Sequence, residues 1–140
     1  MSNMKILIVG HGEYATGIKS AIKLLTGVDE NIDAINLNNE LTHEDFTIMI
    51  KEYVKENKEL IIFADITGGA PFQITSREVL LNEESQDQYV VGGVSVACIL
   101  DIVMNTVVIA SEDDTRQIIN NAVDGVREMA SVMCRKDLME

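Results

Sequence analysis

The chain has 140 residues, 46% of them hydrophobic and 24% charged, with one proline and nine glycines. That length fits one domain, able to bury about two thirds of its unfolded surface without disulfides or metals, and the composition excludes disordered, collagenous and repeat architectures. Eleven Lys and Arg against 23 Asp and Glu give a formal net charge of −12, which repels nucleic-acid phosphates and anionic lipid and disfavours both as partners. Acidity that keeps a cytoplasmic protein soluble is the simpler account of the charge. Cys98 and Cys134 are too few for a disulfide framework or a metal quartet, and Cys98, inside VACILDIVM, reads as a small reduced hydrophobe. The short apolar N-terminal run contains a lysine and leads to no cleavage-site pattern, and no stretch approaches the roughly 18 apolar residues of a membrane span. These features read as a cytoplasmic protein in a reducing compartment.

In chain order, KILIVG (5–10) is an apolar, β-branched run suited to a strand buried on both faces. Ala15, Ile18, Ala21, Ile22 and Leu25 then recur at helical spacing from Glu13 to Thr26, with Gly27 as the stop. IDAINL (32–37) alternates as a second strand. Thr42 and Asp45 resemble a capping box ahead of a helix with Phe46, Met49, Ile50, Tyr53 and Val54 on its apolar stripe. ELIIFAD (59–65) is a third buried strand ending on Asp65. ITGGAPF (66–72) is a glycine-rich turn, and Pro71 suits the first position of a helix running to about Leu81. QYVVGG (88–93) is a fourth strand, SVACILDIVMN (95–105) a helix apolar nearly all round, and TVVIA (106–110) a fifth short strand. The last helix is expected from about Asp114 to Arg135, with Ile118, Ala122, Val126, Met129 and Met133 on one face.

Alternating strands and helices predict an α/β fold: a single three-layer domain over 1–140 with a mostly parallel central sheet and right-handed crossovers. The flavodoxin-like order 2-1-3-4, with the fifth strand at an edge, makes strands one and three neighbours. Ligands in such sheets bind beyond the carboxyl ends of the strands, where the order reverses. His11 follows strand one and Asp65 ends strand three, so this order places them face to face at that point.

A carboxylate that accepts one ring N–H of a neutral imidazole fixes the tautomer and leaves the other nitrogen's lone pair free, which prepares a nucleophile or a general base. Backbone N–H groups in a Gly-Gly turn opening a helix bind anions, phosphates above all. Together these parts point to phosphoryl transfer through a phosphohistidine. Singly, each has a plainer reading: a hydrogen-bonded structural histidine, a loop-capping aspartate, a tight turn. There is no Walker lysine motif and no G-x-G-x-x-G, so nucleotide binding is not indicated. GHG also lacks the preceding arginine of a histidine-phosphatase signature.

Across about 130 residues the chain resembles the mannose-type IIA (EIIA) components of the bacterial phosphoenolpyruvate-dependent sugar phosphotransferase system. The resemblance is carried by ILIVGHGEYATG, FADITGGAPF, TSREV (75–79) and VVGGVSVACILDIVM (90–104), with D-x-x-G-G-x-P-F correctly placed after G-H-G. It implies a cytoplasmic homodimer without a cofactor. In such a dimer His11 takes a phosphoryl group from the phosphocarrier HPr and passes it to a IIB component, while membrane IIC and IID components import the sugar. It maps the orienting carboxylate onto Asp65 and the phosphate-holding turn onto Thr67, Gly68, Gly69 and Ala70, and implies that TVVIA is exchanged with the partner subunit. Relatives often carry Ser or Thr where this chain has Ala70, which leaves only a backbone N–H there. They also often carry Asn and Pro where Ser95 and Ala97 stand, in a loop that borders the site and could contact IIB. A phosphohistidine-dependent regulatory module, the phosphoryl-donor subunit for dihydroxyacetone phosphorylation and an unrelated flavodoxin-like ligand binder are the alternatives, and the transported sugar is not readable.

Among the other candidates, His43 reads as a surface histidine. A metal site from His11, Asp65 and Glu13 lacks a second histidine or cysteine at ligand spacing. Arg77 reads as a structural ion-pair partner before a source of positive field at the turn. Met104 and Met133 could serve an interface, and SEDD (111–114) reads as the acidic start of the last helix.

Overall fold

The computed structural model describes residues 3–138. Four strands, β1 (Lys5–His11), β2 (Ile32–Leu37), β3 (Glu59–Ala64) and β4 (Asp87–Gly92), form one parallel sheet in the order β2-β1-β3-β4. The helices are α1 (Tyr14–Thr26), α2 (His43–Glu56), α3 (Ala70–Leu81), α4 (Val96–Val103), α5 (Thr115–Asp124) and the short α6 (Val126–Met129).

β1 is central, so its apolar run serves both sheet faces at once. Ile6 and Ile8 pack with Ile61, Phe63 and Val91 under Ala15 and Ile22 of α1 and Ile99, Ile102 and Ile119 of α4 and α5. Leu7 and Val9 pack with Leu60 and Ile62 under Phe46, Ile50 and Val54 of α2. The two-residue strand period makes this sorting automatic. Handedness places the layers: the step from β1 to β2 and the later steps toward β4 run in opposite directions. Right-handed crossovers therefore put α1 on one face and α2 and α3 on the other. α2 starts as the capping pattern requires, with the Asp45 N–H donating to Thr42 Oγ1 at 3.0 Å.

Three expectations fail. TVVIA is not a strand: α4 runs directly into a π-helical turn over Met104–Val108, closed by Ile109 N–H donating to Met104 O at 2.8 Å. No proline or glycine interrupts the chain there. Asn105 Nδ2 donates to Asp101 O at 2.9 Å and Thr106 Oγ1 to Ile102 O at 2.8 Å along the helical path, while Ile102, Val103 and Val107 pack on the core, so tertiary packing overrides the β-branched propensity of the run. Among the described residues the sheet therefore has four strands and the outer edge of β4 carries no fifth one. The last helix also stops early, at Asp124. Gly125 is poor helix material, and its N–H caps the carbonyls of Asn121 and Ala122. Met133, expected on the apolar face, lies beyond α6 and is 88% exposed; Leu25 and Met49, expected on the stripes of α1 and α2, are exposed too.

Phe46 is fully buried and staples α2 to the sheet. Phe46→Ala is expected to lower the unfolding free energy by about 3–5 kcal/mol, against about 1 kcal/mol for the cap variant Thr42→Ala. Urea unfolding followed by circular dichroism checks both, and near-equal losses contradict this reading of the core.

Candidate functional site

The strand order brings His11 and Asp65 together. The register pairs Val9 with Ala64 and His11 with Leu37, so β1 and β3 end side by side where the sheet order reverses. One oxygen of Asp65, Oδ2, accepts from the His11 main-chain N–H and meets His11 Nδ1, each at 2.9 Å. The other, Oδ1, accepts from the Ile66 N–H at 2.9 Å. An ionised carboxylate can only accept, so Nδ1 carries the proton and the lone pair of the neutral ring belongs to Nε2. The two partners differ in access: the Asp65 side chain is 10% exposed and the His11 side chain 48%.

Burial is the largest single influence on Asp65 and favours its neutral form. The bonds from the His11 main chain and ring, the His11 charge and the Ile66 N–H act together against it. Their sum wins, and the carboxyl lies below its ordinary value. Tyr14 moves the other way, because burial and then the Asp65 charge push its phenol up. The local backbone makes these approaches possible. A Cβ on Gly10 would lie 2.5 Å from Tyr14 Cδ1 and 3.1 Å from Asp65 Cγ, so a glycine is needed where ring and carboxyl converge. Gly12 turns the chain out of β1 at φ +61°, in the left-handed region that disfavours other residues, and its N–H donates to Leu37 O at 2.9 Å.

The Thr67–Ala70 segment closes over the other side of the ring. A Cβ on Gly69 would lie 3.1 Å from His11 Cε1, so the imidazole edge sits directly against that residue. Gly69 N–H donates to Ile66 O at 3.2 Å, which ties up one of the four turn amides in the turn itself. The N–H groups of Thr67, Gly68 and Ala70, and of Phe72 beyond Pro71, have no acceptor among the described residues. These undonated amides lie at the N-terminus of the twelve-residue α3, where an anion is favoured. The Thr67 hydroxyl is turned away toward the end of β4, where a Cβ on Gly92 would come within 2.7 Å of it.

Other candidates stand apart. His43 is exposed at the first position of α2. Arg77 is exposed and pairs with the adjacent Glu78 at 3.6 Å, the ion pair its sequence position favoured. Among the described residues no group of three or more His, Cys, Asp or Glu side chains converges as a metal site, and no helix is long and apolar enough to cross a membrane. Three contributors escaped the sequence reading. Tyr14 lies outside the apolar stripe of α1 that Ala15, Ile18, Ala21, Ile22 and Leu25 define. The Ile66 N–H carries no side-chain signal at all. Asn36 of β2 fastens the start of α1, with Oδ1 accepting from Thr16 N–H at 3.2 Å and Nδ2 donating to Thr16 Oγ1 at 3.0 Å. Its outlying polar position in IDAINL was the available hint.

Comparison with known proteins locates this arrangement. Residues 5–122 match the family EIIA-man, described as the PTS system fructose IIA component. The chain is 26% identical over 104 residues to the sorbose-specific EIIA component of the phosphotransferase system from Lacticaseibacillus casei, covering 73% of each chain. In fold it is similar to phosphotransferase system component EIIA from Streptococcus agalactiae, with a TM-score of 0.77 at 22% identity over 92% of this chain and 96% of that one. It is likewise similar to the mannose/sorbose-specific IIA subunit from Enterococcus faecalis, with a TM-score of 0.75 at 13% identity over 96% of each chain. The family match spans the sheet, both strand-end residues and the start of α3 beside them: the chain belongs to the mannose-type IIA family, the EIIA components of the sugar phosphotransferase system.

Proposed function

We propose that this IIA component is a phosphoryl carrier in which His11 takes a phosphoryl group from phosphorylated HPr and gives it to a IIB component. The observation that carries the reading is the 2.9 Å contact of His11 Nδ1 with an Asp65 oxygen that also holds the His11 main chain. Nε2 of the neutral ring attacks phosphorus and the P–N bond of the donor histidine breaks. The electron pair of that bond returns to the donor imidazole. The ring gains positive charge as the new P–N bond forms, and Asp65 stabilises that charge. The amides of Thr67, Gly68 and Ala70 receive the phosphoryl oxygens, with Gly69 leaving space for the ring edge. Transfer to IIB repeats the displacement from the other side. The reading includes a cytoplasmic location, membrane IIC and IID components served only indirectly, and a homodimer, for which the exposed Val108 and Ile109 provide apolar surface.

Incubation with phosphoenolpyruvate, Enzyme I and HPr is expected to place one acid-labile phosphate on His11, and none in His11→Ala. Phosphate on His43, or no labelling of the unaltered chain, sinks the reading. Asp65→Asn keeps the shape but replaces an ionic acceptor by a neutral one. A charged hydrogen bond is worth about 1.5–3 kcal/mol, so rapid-quench transfer from phospho-HPr is expected to slow by roughly ten- to a hundredfold; an unchanged rate removes Asp65 from the mechanism. Asp65 also makes a pH prediction. Its folded pKa lies below the ordinary 3.8, so the stability it contributes is present above that value and is lost as pH falls through the folded pKa. Chemical denaturation as a function of pH is therefore expected to show the gap between the unaltered chain and Asp65→Asn closing below about pH 4. A gap of constant size across that range contradicts the assignment.

A further inference from the structure

We propose that Gln73 is a positioning residue for the turn that opens α3, a role that rests on the phosphoryl-carrier reading. Its side chain reaches back over the helix start, and Nε2 donates to Gly68 O at 2.6 Å. A carbonyl oxygen can only accept, so it is the NH₂ end of the carboxamide that faces it. The Gln73 main-chain N–H donates to Gly69 O at 2.9 Å. One residue thus grips the peptides on both sides of Gly69, the glycine against which the His11 ring edge sits.

The 68–69 peptide needs that grip. Gly68 lies at φ +88°, and glycine visits positive and negative φ about equally, so its own preference does not hold the peptide plane. Two bonds do: Gly69 N–H to Ile66 O at 3.2 Å, and Gly68 O to the Gln73 amide. Of these, the Gln73 bond is the shorter. A glycine carbonyl released from its donor can rotate toward an incoming dianion and present a partial negative charge to it. With the oxygen held by Gln73, the undonated N–H groups of Thr67, Gly68, Ala70 and Phe72 are the polar groups left to meet the phosphoryl oxygens. Gln73 is exposed and stands outside both cores, so its bond bears on the turn more than on global stability.

Gln73→Met keeps the side-chain length and removes the donor. The full chain carrying it is expected to keep its circular dichroism, and to take phosphate on His11 to the same final stoichiometry. Its kcat for uptake from phospho-HPr is expected to fall about tenfold at unchanged KM, with faster hydrogen exchange at the Gly69 amide measured by NMR. An unaltered kcat, a raised KM with kcat preserved (a partner contact instead), or unchanged exchange at Gly69 each overturns the role. If the unaltered chain takes no phosphate at His11, the carrier reading fails by itself. Titration with inorganic phosphate then decides for Gln73: weaker perturbation of the 67–72 amide resonances in Gln73→Met supports the role, and equal perturbation overturns it.

Discussion

The geometry of the site depends on one carboxylate oxygen that serves two donors on the same residue. Asp65 Oδ2 binds both the main chain and the ring of His11. The rotation of the imidazole is thereby tied to the position of the last β1 peptide, and that peptide to the end of β3. Neither strand alone could do this. It takes the parallel register of β1 with β3, and that register comes from a strand whose alternate residues are claimed by two different cores. A shift of one residue would send Ile6 and Ile8 to the wrong layer. The same core packing that stabilises the sheet therefore sets the ring.

Burial and ionisation act against each other at Asp65, and the balance explains why the residue is so closely bonded. A nearly buried carboxylate would ordinarily be pushed toward its neutral form. A neutral Asp65 would lose half of its hold on His11, because a protonated oxygen no longer demands the Nδ1 proton. Three N–H groups from two residues keep it ionised. Two of them are main-chain groups, which stay in place whatever the ring does. The tautomer of His11 is consequently set by the backbone of two strand ends acting through Asp65.

Much of this was legible from residue types. Apolar runs and helix spacing give the alternation of strands and helices; the order 2-1-3-4 is the flavodoxin-like expectation for such a chain, and with that order the facing of His11 and Asp65 follows. What escaped falls into two kinds. One is main-chain chemistry: neither the Ile66 N–H that completes Asp65 nor the Gly69 N–H spent inside its own turn leaves a mark on the sequence. The other is competition between local and medium-range forces. TVVIA has the β-branched content of a strand, yet Asn105 and Thr106 bond back to Asp101 and Ile102, and the preceding helix simply continues. Periodicity sees the propensity of the run but not the core packing of Ile102, Val103 and Val107 that overrides it. The early end of the last helix has the same character, since one glycine capping two carbonyls outweighed an apolar spacing that continued beyond it.

The charge of the chain bears on how such a site can work. The loops at the carboxyl ends of the strands (12–13, 38–42, 65–69 and 93–95) contain no Lys or Arg, and the protein carries a net −12. A phosphoryl group handled there meets backbone dipoles and a helix N-terminus in place of a fixed cation. Amide N–H groups stabilise phosphoryl oxygens by direct hydrogen bonds that are short in range, whereas an ammonium or guanidinium attracts a dianion over several ångströms and through its whole departure. If the site is a phosphoryl carrier, as proposed, it has to release its cargo as readily as it accepts it, and a cradle of amides suits that task better than one of lysines. The repulsion between the acidic chain and a free phosphate acts in the same direction. It disfavours adventitious anions at the site while leaving covalent delivery from a bound donor unaffected. On the phosphoryl-carrier reading, the acidity that disfavours nucleic acid and anionic lipid as partners also keeps His11 clear of free anions.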